Sequence, residues 1–188
     1  KKDSKLISMD NPDISVLFAD IVSFTVMSEK ISSEKLVGFL NEMFSKFDDL
    51  TESYGVEKIK TIGDSYMVVA GMPVTRKDHA LTLFNLAKEM MKMSSTFRDH
   101  NGDPIKLRIG LNSGPAVSGV IGKSKFAFDV WGDTINTAAR LESYGSPDCI
   151  HITKATYELL NHKEKKIEQK SIEIRGKGLM DSVLVNVQ

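Results

Sequence analysis

From Asp13 to Gly114 the spacing of apolar residues alternates between the strand and helix periods, and few folds accept the order in which it does so. DISVLFADI (13–21), after Pro12, is nearly continuous in apolar residues, as in a buried strand, and it ends at Asp20. From Ser33 the residues Leu36, Phe39, Leu40, Met43, Phe44, Phe47 and Leu50 recur at helical spacing, with SSEK as the cap and a stop near Gly55. Two short strands then flank Gly63-Asp64, because a two-residue loop opening with Gly favours a tight hairpin. Residues 76–97 form a second amphipathic helix through Ala80, Leu83, Phe84, Ala87, Met90 and Met91, and IKLRIGLNSG follows as a strand. This β-α-β-β-α-β order is the split βαβ arrangement of ferredoxin-like folds.

Beyond that unit, PAVSGVIG and KFAFDVWG read as a further hairpin, and DTINTAARLESYG as a helix capped by Asp133 or Thr134. SPDCIHIT reads as a strand, residues 153–161 as a short helix, and SIEIRGKG with MDSVLVNV as a final strand pair. The expected fold class is α+β, a ferredoxin-like βαββαβ core with a C-terminal α/β subdomain. At 188 residues the chain is long enough for one domain with a sizeable core. That domain is placed at 13–188, with 1–12 as the remnant of a linker.

Lys+Arg and Asp+Glu balance at 25 each, which gives no reason to expect nucleic acid or an acidic membrane as partner. A ferredoxin-like RNA-binding module is disfavoured because the sheet lacks a basic, aromatic-rich stacking face. The lone Cys149 forms no internal disulfide, and no Cys/His spacing matches a zinc site. A cytoplasmic location is expected. A start at Lys1 without Met suggests a piece of a longer chain, with a regulatory or membrane domain elsewhere in it.

Two carboxylates occupy comparable places, Asp20 at a strand end and Asp64 at a hairpin tip. In a ferredoxin-like sheet they can converge, and converging carboxylates repel unless a cation lies between them; hard oxygen ligands select Mg²⁺ or Mn²⁺. An N-cap role for Asp20 and a turn role for Asp64 are the plainer alternatives. The turn DIVSFT offers backbone N–H groups from Val22 to Thr25 that suit phosphate oxygens. GKS at 122–124 is no phosphate loop of the Walker type, since Val117 stands where that motif needs glycine. Asn136 and Arg140, four apart, share a helix face; an arginine held there can stabilise growing charge, or be an ordinary surface residue. Asp129, between Phe128 and Val130, needs a hydrogen-bond donor, either a backbone N–H or a ligand amine. Lys60 and Asp64 are separated by about 13 Å of extended strand, too far for a mutual ion pair.

FADIVSFT, KTIGDSYMV, LRIGLNSG, FDVWGDTINTAARLES and IRGKG stand in the order and spacing of class III nucleotidyl cyclase catalytic domains, and from about Ile14 to Val187 the chain resembles that family. The resemblance implies a head-to-tail homodimer that converts a nucleoside triphosphate to a 3′,5′-cyclic monophosphate and pyrophosphate. It implies that Asp20 and Asp64, with the Ile21 carbonyl, hold two Mg²⁺ or Mn²⁺ ions per site. Phe24 and Thr25 match the turn that holds the β/γ phosphates, with Ser23 where many members have Gly. Arg108 matches a phosphate-contacting arginine, and Arg175 or Lys177 the family's late phosphate-binding lysine. From the opposite protomer, Asn136 orients the ribose and Arg140 stabilises the α-phosphoryl transition state.

Lys60 and Asp129, also from the opposite protomer, resemble the base-selecting pair. Adenine presents an acceptor at N1 and a donor at N6, which a Lys/Asp pair complements; guanine presents the reverse. Guanylyl members usually carry Glu and Cys at these positions. ATP is therefore the expected substrate, cyclised by in-line attack of the ribose 3′-OH on the α-phosphorus. The alternatives are a guanylyl cyclase with unusual base recognition and an inactive cyclase-like dimerisation module.

Overall fold

The structure is a computed structural model and describes residues 7–122, 126–161, 164, 167–174 and 178–187. Along the chain run β1 (Ile7–Ile21), α1 (Phe24–Lys30), α2 (Ser33–Ser53), β2 (Glu57–Ile62), β3 (Ser65–Ala70), α3 (His79–Ser94) and β4 (Leu107–Ile121). They are followed by β5 (Ala127–Trp131), α4 (Asp133–Ser143), β6 (Cys149–Thr153), α5 (Lys154–Glu158), β7 (Ile167–Ile174) and β8 (Gly178–Asn186). The strands form one 8-stranded sheet in the order β2-β3-β1-β4-β6-β8-β7, with β5 paired to β4 beside that path. Its β2-β3-β1-β4 portion is antiparallel throughout and is the ferredoxin-like core. The C-terminal elements extend it through the parallel β4-β6 pairing.

Alternation along the strands divides the core between two faces. Leu17, Ala19 and Ile21, with Tyr66, Val68, Leu107, Ile109 and Leu111, pack on the face covered by α2 and α3. Ile14, Val16 and Phe18, with Met67 and Val69, pack on the other face against Ile135 and Ala138 of α4. Each such aliphatic or aromatic side chain contributes roughly 1.5–3 kcal/mol when fully buried. Because Asp20 is two residues beyond Phe18, the same alternation turns it toward the α4 face.

Several boundaries differ from the sequence expectation. β1 begins at Ile7, so residues 7–12, expected to be linker, are strand paired with β4. Pro12 is tolerated because the register shifts between Asn11 and Ile14, where no ladder hydrogen bond is asked of it. Pro115 lies opposite that shift and also lacks a ladder partner, so β4 runs unbroken through Gly114-Pro115 where a separate hairpin strand was expected. α1 follows directly on the DIVSFT turn, and α3 is shorter at both ends than residues 76–97. The cap of α4 is Gly132 rather than Asp133 or Thr134, since the Thr134 hydroxyl donates to the Pro115 carbonyl at 2.6 Å. Ser32 caps α2 as SSEK suggests, its hydroxyl accepting from the Lys35 N–H at 3.4 Å.

Candidate active site

Asp20 closes β1 opposite Ser65 of β3 and Arg108 of β4, and Asp64 occupies the β2–β3 turn beside Ser65. The Asp64 pKa is pushed up to about 6, by burial first and then by the charge of nearby Asp20. Two carboxylates that raise one another's charge cost at one end of the sheet favour a cation between them. Among the described residues, no three His, Cys, Asp or Glu side chains gather at metal-ligating distance. The donor set therefore fits hard ions that complete their shell with backbone carbonyl, water or phosphate oxygens, as Mg²⁺ and Mn²⁺ do.

Arg108 Nη2 donates to Asp20 Oδ2 at 2.7 Å, so the expected phosphate ligand is paired with an expected metal ligand. On its other edge, Arg108 Nε lies 3.3 Å from Glu142 Oε1. Glu142 was not among the expected site residues. Its signal was legible, however: it lies four residues after Ala138 and seven after Ile135, on the apolar face of α4, where a carboxylate is out of place.

The turn expected to hold phosphate leads from β1 into α1. Ser23 adopts left-handed φ 60, which is the reason glycine suits this position. The Val22 N–H donates to the Lys106 carbonyl at 3.0 Å, so the run of free amides does not begin there. Phe24 and Thr25 open α1, and Thr25 is exposed.

Lys60 and Asp129 come together, Lys60 Nζ donating to Asp129 Oδ2, while Asp129 Oδ1 accepts from the Val130 N–H at 2.8 Å. A β-bulge makes this contact. The register jumps from Lys58↔Val68 to Lys60↔Met67, so the two lysines point to opposite faces of the sheet. Lys58 turns to Asp48 of α2, at 2.6 Å, and Lys60 turns to β5 on the α4 side. In a regular strand both would face α2.

Asn136 is exposed and Arg140 half-buried on α4, and no described residue forms an ion pair with Arg140. No hydrogen bond or ion pair among the described residues links Lys60, Asp129, Asn136 or Arg140 to Asp20 and Asp64. One chain thus carries two separate groups of candidate residues. Arg175 and Lys177 lie outside the described residues.

Fold and site together define an α+β domain with paired carboxylates at strand ends. The chain belongs to the adenylate and guanylate cyclase catalytic domain family, whose model matches residues 7–187. It is 44% identical over 168 residues to an adenylate cyclase of Mycobacterium tuberculosis (strain ATCC 25618 / H37Rv), covering 89% of this chain and 38% of that protein. It is 38% identical over 182 residues to the human guanylate cyclase soluble subunit beta-2, covering 96% of this chain and 30% of that protein. Among solved structures, the catalytic core of a rhodopsin-guanylyl cyclase with converted specificity, in complex with ATPαS, superposes with TM-score 0.89 at 37% identity. That superposition covers 96% of this chain and 98% of the other. The chain therefore spans well under half the length of the curated relatives it matches.

Proposed function

We propose that this domain cyclises ATP to 3′,5′-cyclic AMP and pyrophosphate, at two equivalent sites shared between copies of the chain in a homodimer. The observation that carries the choice of base is the Lys60–Asp129 pair: a cationic donor and an anionic acceptor, held side by side on β2 and β5. Lys60 donates to adenine N1 and Asp129 accepts from N6. Their mutual ion pair is partly exposed, 40% for the Lys60 side chain, so opening it costs about 1 kcal/mol or less. Two hydrogen bonds to a desolvated base offset that cost. Guanine would leave both groups facing like partners, which a buried site rejects strongly. A rhodopsin-guanylyl cyclase core with converted specificity, similar to this chain, crystallised in complex with ATPαS, which supports an adenine nucleotide as a ligand this fold can hold.

Asp20, Asp64 and the Ile21 carbonyl would hold the Mg²⁺ or Mn²⁺ ions, which when bound supply acidification of the 3′-OH and neutralisation of the triphosphate. Arg108, the backbone at Phe24 and Thr25, and Arg175 or Lys177 bind the β and γ phosphates. Asn136 orients the ribose, and Arg140 stabilises the charge that grows at the α-phosphoryl group. Since Lys60, Asp129, Asn136 and Arg140 leave the carboxylates of their own chain unaddressed, they serve the site of the partner. Exposed apolar side chains on both faces of the β4–β5 hairpin support the dimer: Ile121 and Trp131, at 58 and 37% exposure, on the side of Asp129, and Phe126 and Phe128, at 74 and 40%, on the other.

We place the domain on the cytoplasmic side of a longer protein with a regulatory or membrane segment. No helix among the described residues is long and apolar enough to cross a membrane. The test is to incubate the purified domain at high concentration with Mn²⁺ or Mg²⁺ and either ATP or GTP, and to quantify cyclic products. Cyclic AMP is expected; dominant cyclic GMP overturns the base assignment, and no cyclic product overturns the activity.

A further inference from the structure

The Arg108 guanidinium is held between two carboxylates of different kinds. Asp20, at the strand end, takes its Nη2 edge at 2.7 Å, and Glu142, 9% exposed in the last turn of α4, faces its Nε edge at 3.3 Å. Arg108 Nε and Glu142 Oε1 are both buried, and neither completes a hydrogen bond among the described residues. Two complementary orphans this close are a contact left open, one that a small turn of the guanidinium completes.

The placement of Glu142 is rigid. Arg108 and Gly110 share a face of β4, and α4 lies directly on Gly110: a Cβ there would sit 2.2 Å from the Ala138 carbonyl oxygen and 2.3 Å from the Glu142 nitrogen. Ala138 and Leu141 anchor the same turn with no exposure. Asp20, by contrast, has a competing duty, because a cation bound there repels the guanidinium and takes the lone pairs that Nη2 now uses.

We propose that Glu142 is a positioning residue that holds Arg108 by its Nε edge, so that the guanidinium can leave Asp20 and present its Nη edge to the triphosphate. The inference rests on the reading of Arg108 as a triphosphate ligand. Arginine suits this division because its five donors form a fixed fork with two separable edges. Without the Glu142 charge, Asp20 is the one carboxylate among the described residues that still pairs with Arg108, which stays there in competition with metal and nucleotide alike. Burial of Glu142 among charged neighbours is then the cost of keeping an arginine aimed.

The test uses 3′-deoxy-ATP with Mg²⁺, a ligand that cannot cyclise, and calorimetric affinities for the unmodified domain, Glu142→Gln, Glu142→Asp, Arg108→Ala and the Glu142→Gln/Arg108→Ala pair. Glu142→Gln keeps shape and removes charge; it is expected to weaken binding about tenfold, in the range of residues that orient a ligand's partner. Glu142→Asp retains the charge and recovers part of that loss. In the Arg108→Ala background the same Glu142→Gln change shifts affinity less than about twofold, because it has nothing left to position. The ¹⁵N–¹H signal of Arg108 Nε gives a second readout: it should move on adding Mg²⁺ and 3′-deoxy-ATP to the unmodified domain, and not in Glu142→Gln. If Glu142→Gln binds as the unmodified domain does, or loses equally in the Arg108→Ala background, the positioning role is overturned. If Glu142→Gln does not fold, Glu142→Asp and the Nε signal decide, and an Nε signal that does not move on ligand binding overturns the role. Should the unmodified domain bind no triphosphate at all, the nucleotide reading falls together with this one.

Discussion

The two groups of site residues differ in how their charges are paired within the chain. Around Asp20 and Asp64 charge is in surplus: two carboxylates crowd one end of the sheet, Arg108 is drawn between Asp20 and Glu142, and Arg108 Nε and Glu142 Oε1 lack a hydrogen-bond partner among the described residues. Around Lys60 and Asp129 charge is already balanced by a partly exposed ion pair. The first group is strained until a cation arrives, and the second is satisfied until a base opens it. Removing charge from the first should therefore relieve the fold and abolish turnover, whereas changes in the second should redirect specificity at little cost to stability.

Asp64→Asn gives the largest expected effect. Losing one of two converging carboxylates removes several kcal/mol of charge stabilisation in the transition state, about a thousandfold or more in turnover. The thermal midpoint should hold or rise, because repulsion with Asp20 goes too. A normal rate in a folded variant would refute the metal role of Asp64. Next comes the other group: Lys60→Glu with Asp129→Cys should exchange ATP for GTP preference, by about a hundredfold in the ratio of kcat/KM. Its thermal midpoint should stay close to the original, since a partly exposed ion pair contributes about 1 kcal/mol at most. A variant that still prefers ATP contradicts the pairing scheme.

A pH series sharpens the contrast. Asp64 at about 6 and Glu142 at about 7 both lie above the ordinary carboxylate range, chiefly through burial and then through Asp20. The folded form thus binds these protons more tightly than the unfolded chain, so their contribution is complete at about pH 4 and is lost as pH rises through 6 to 7. Without metal, the thermal midpoint should fall between pH 5 and pH 8 by more than in the Asp64→Asn/Glu142→Gln variant, and Mg²⁺ should restore part of it at pH 8. Equal slopes for the two proteins would contradict the strain. The smallest effect is local: Ser23→Gly removes the cost of left-handed backbone at φ 60, adding roughly 0.5–1 kcal/mol to stability with turnover little changed. An unchanged or lower thermal midpoint would count against it.

Much of this was legible in the sequence because it rests on period and on turn chemistry. The run ending at Asp20, the stripe from Leu36 to Leu50 and the Gly63-Asp64 loop suffice to order the core and to bring the two carboxylates to one end of it. What escaped depends on long-range register. Nothing local reveals that β1 pairs with β4 as far back as Ile7, or that the register slip opposite Pro115 lets β4 continue through a proline. Nor does spacing reveal the bulge that sends Lys58 and Lys60 to opposite faces. Glu142 was legible as a misplaced carboxylate on α4, but its partner was not: Arg108 is 34 positions earlier and meets it because Gly110 lets α4 lie against β4.

The division of labour between the two groups is open to a direct measurement. Asp64→Asn spoils the carboxylate group of every chain that carries it, and Arg140→Ala spoils the α4 group. Each homodimer should be nearly inactive, but in an equimolar mixture half the dimers pair one of each and keep one intact site of two. Recovery to about a quarter of the unmodified cyclic AMP yield is the result expected of sites shared across a symmetric pair. No recovery, in a mixture where mixed dimers are verified by mass, would contradict a site built from two chains.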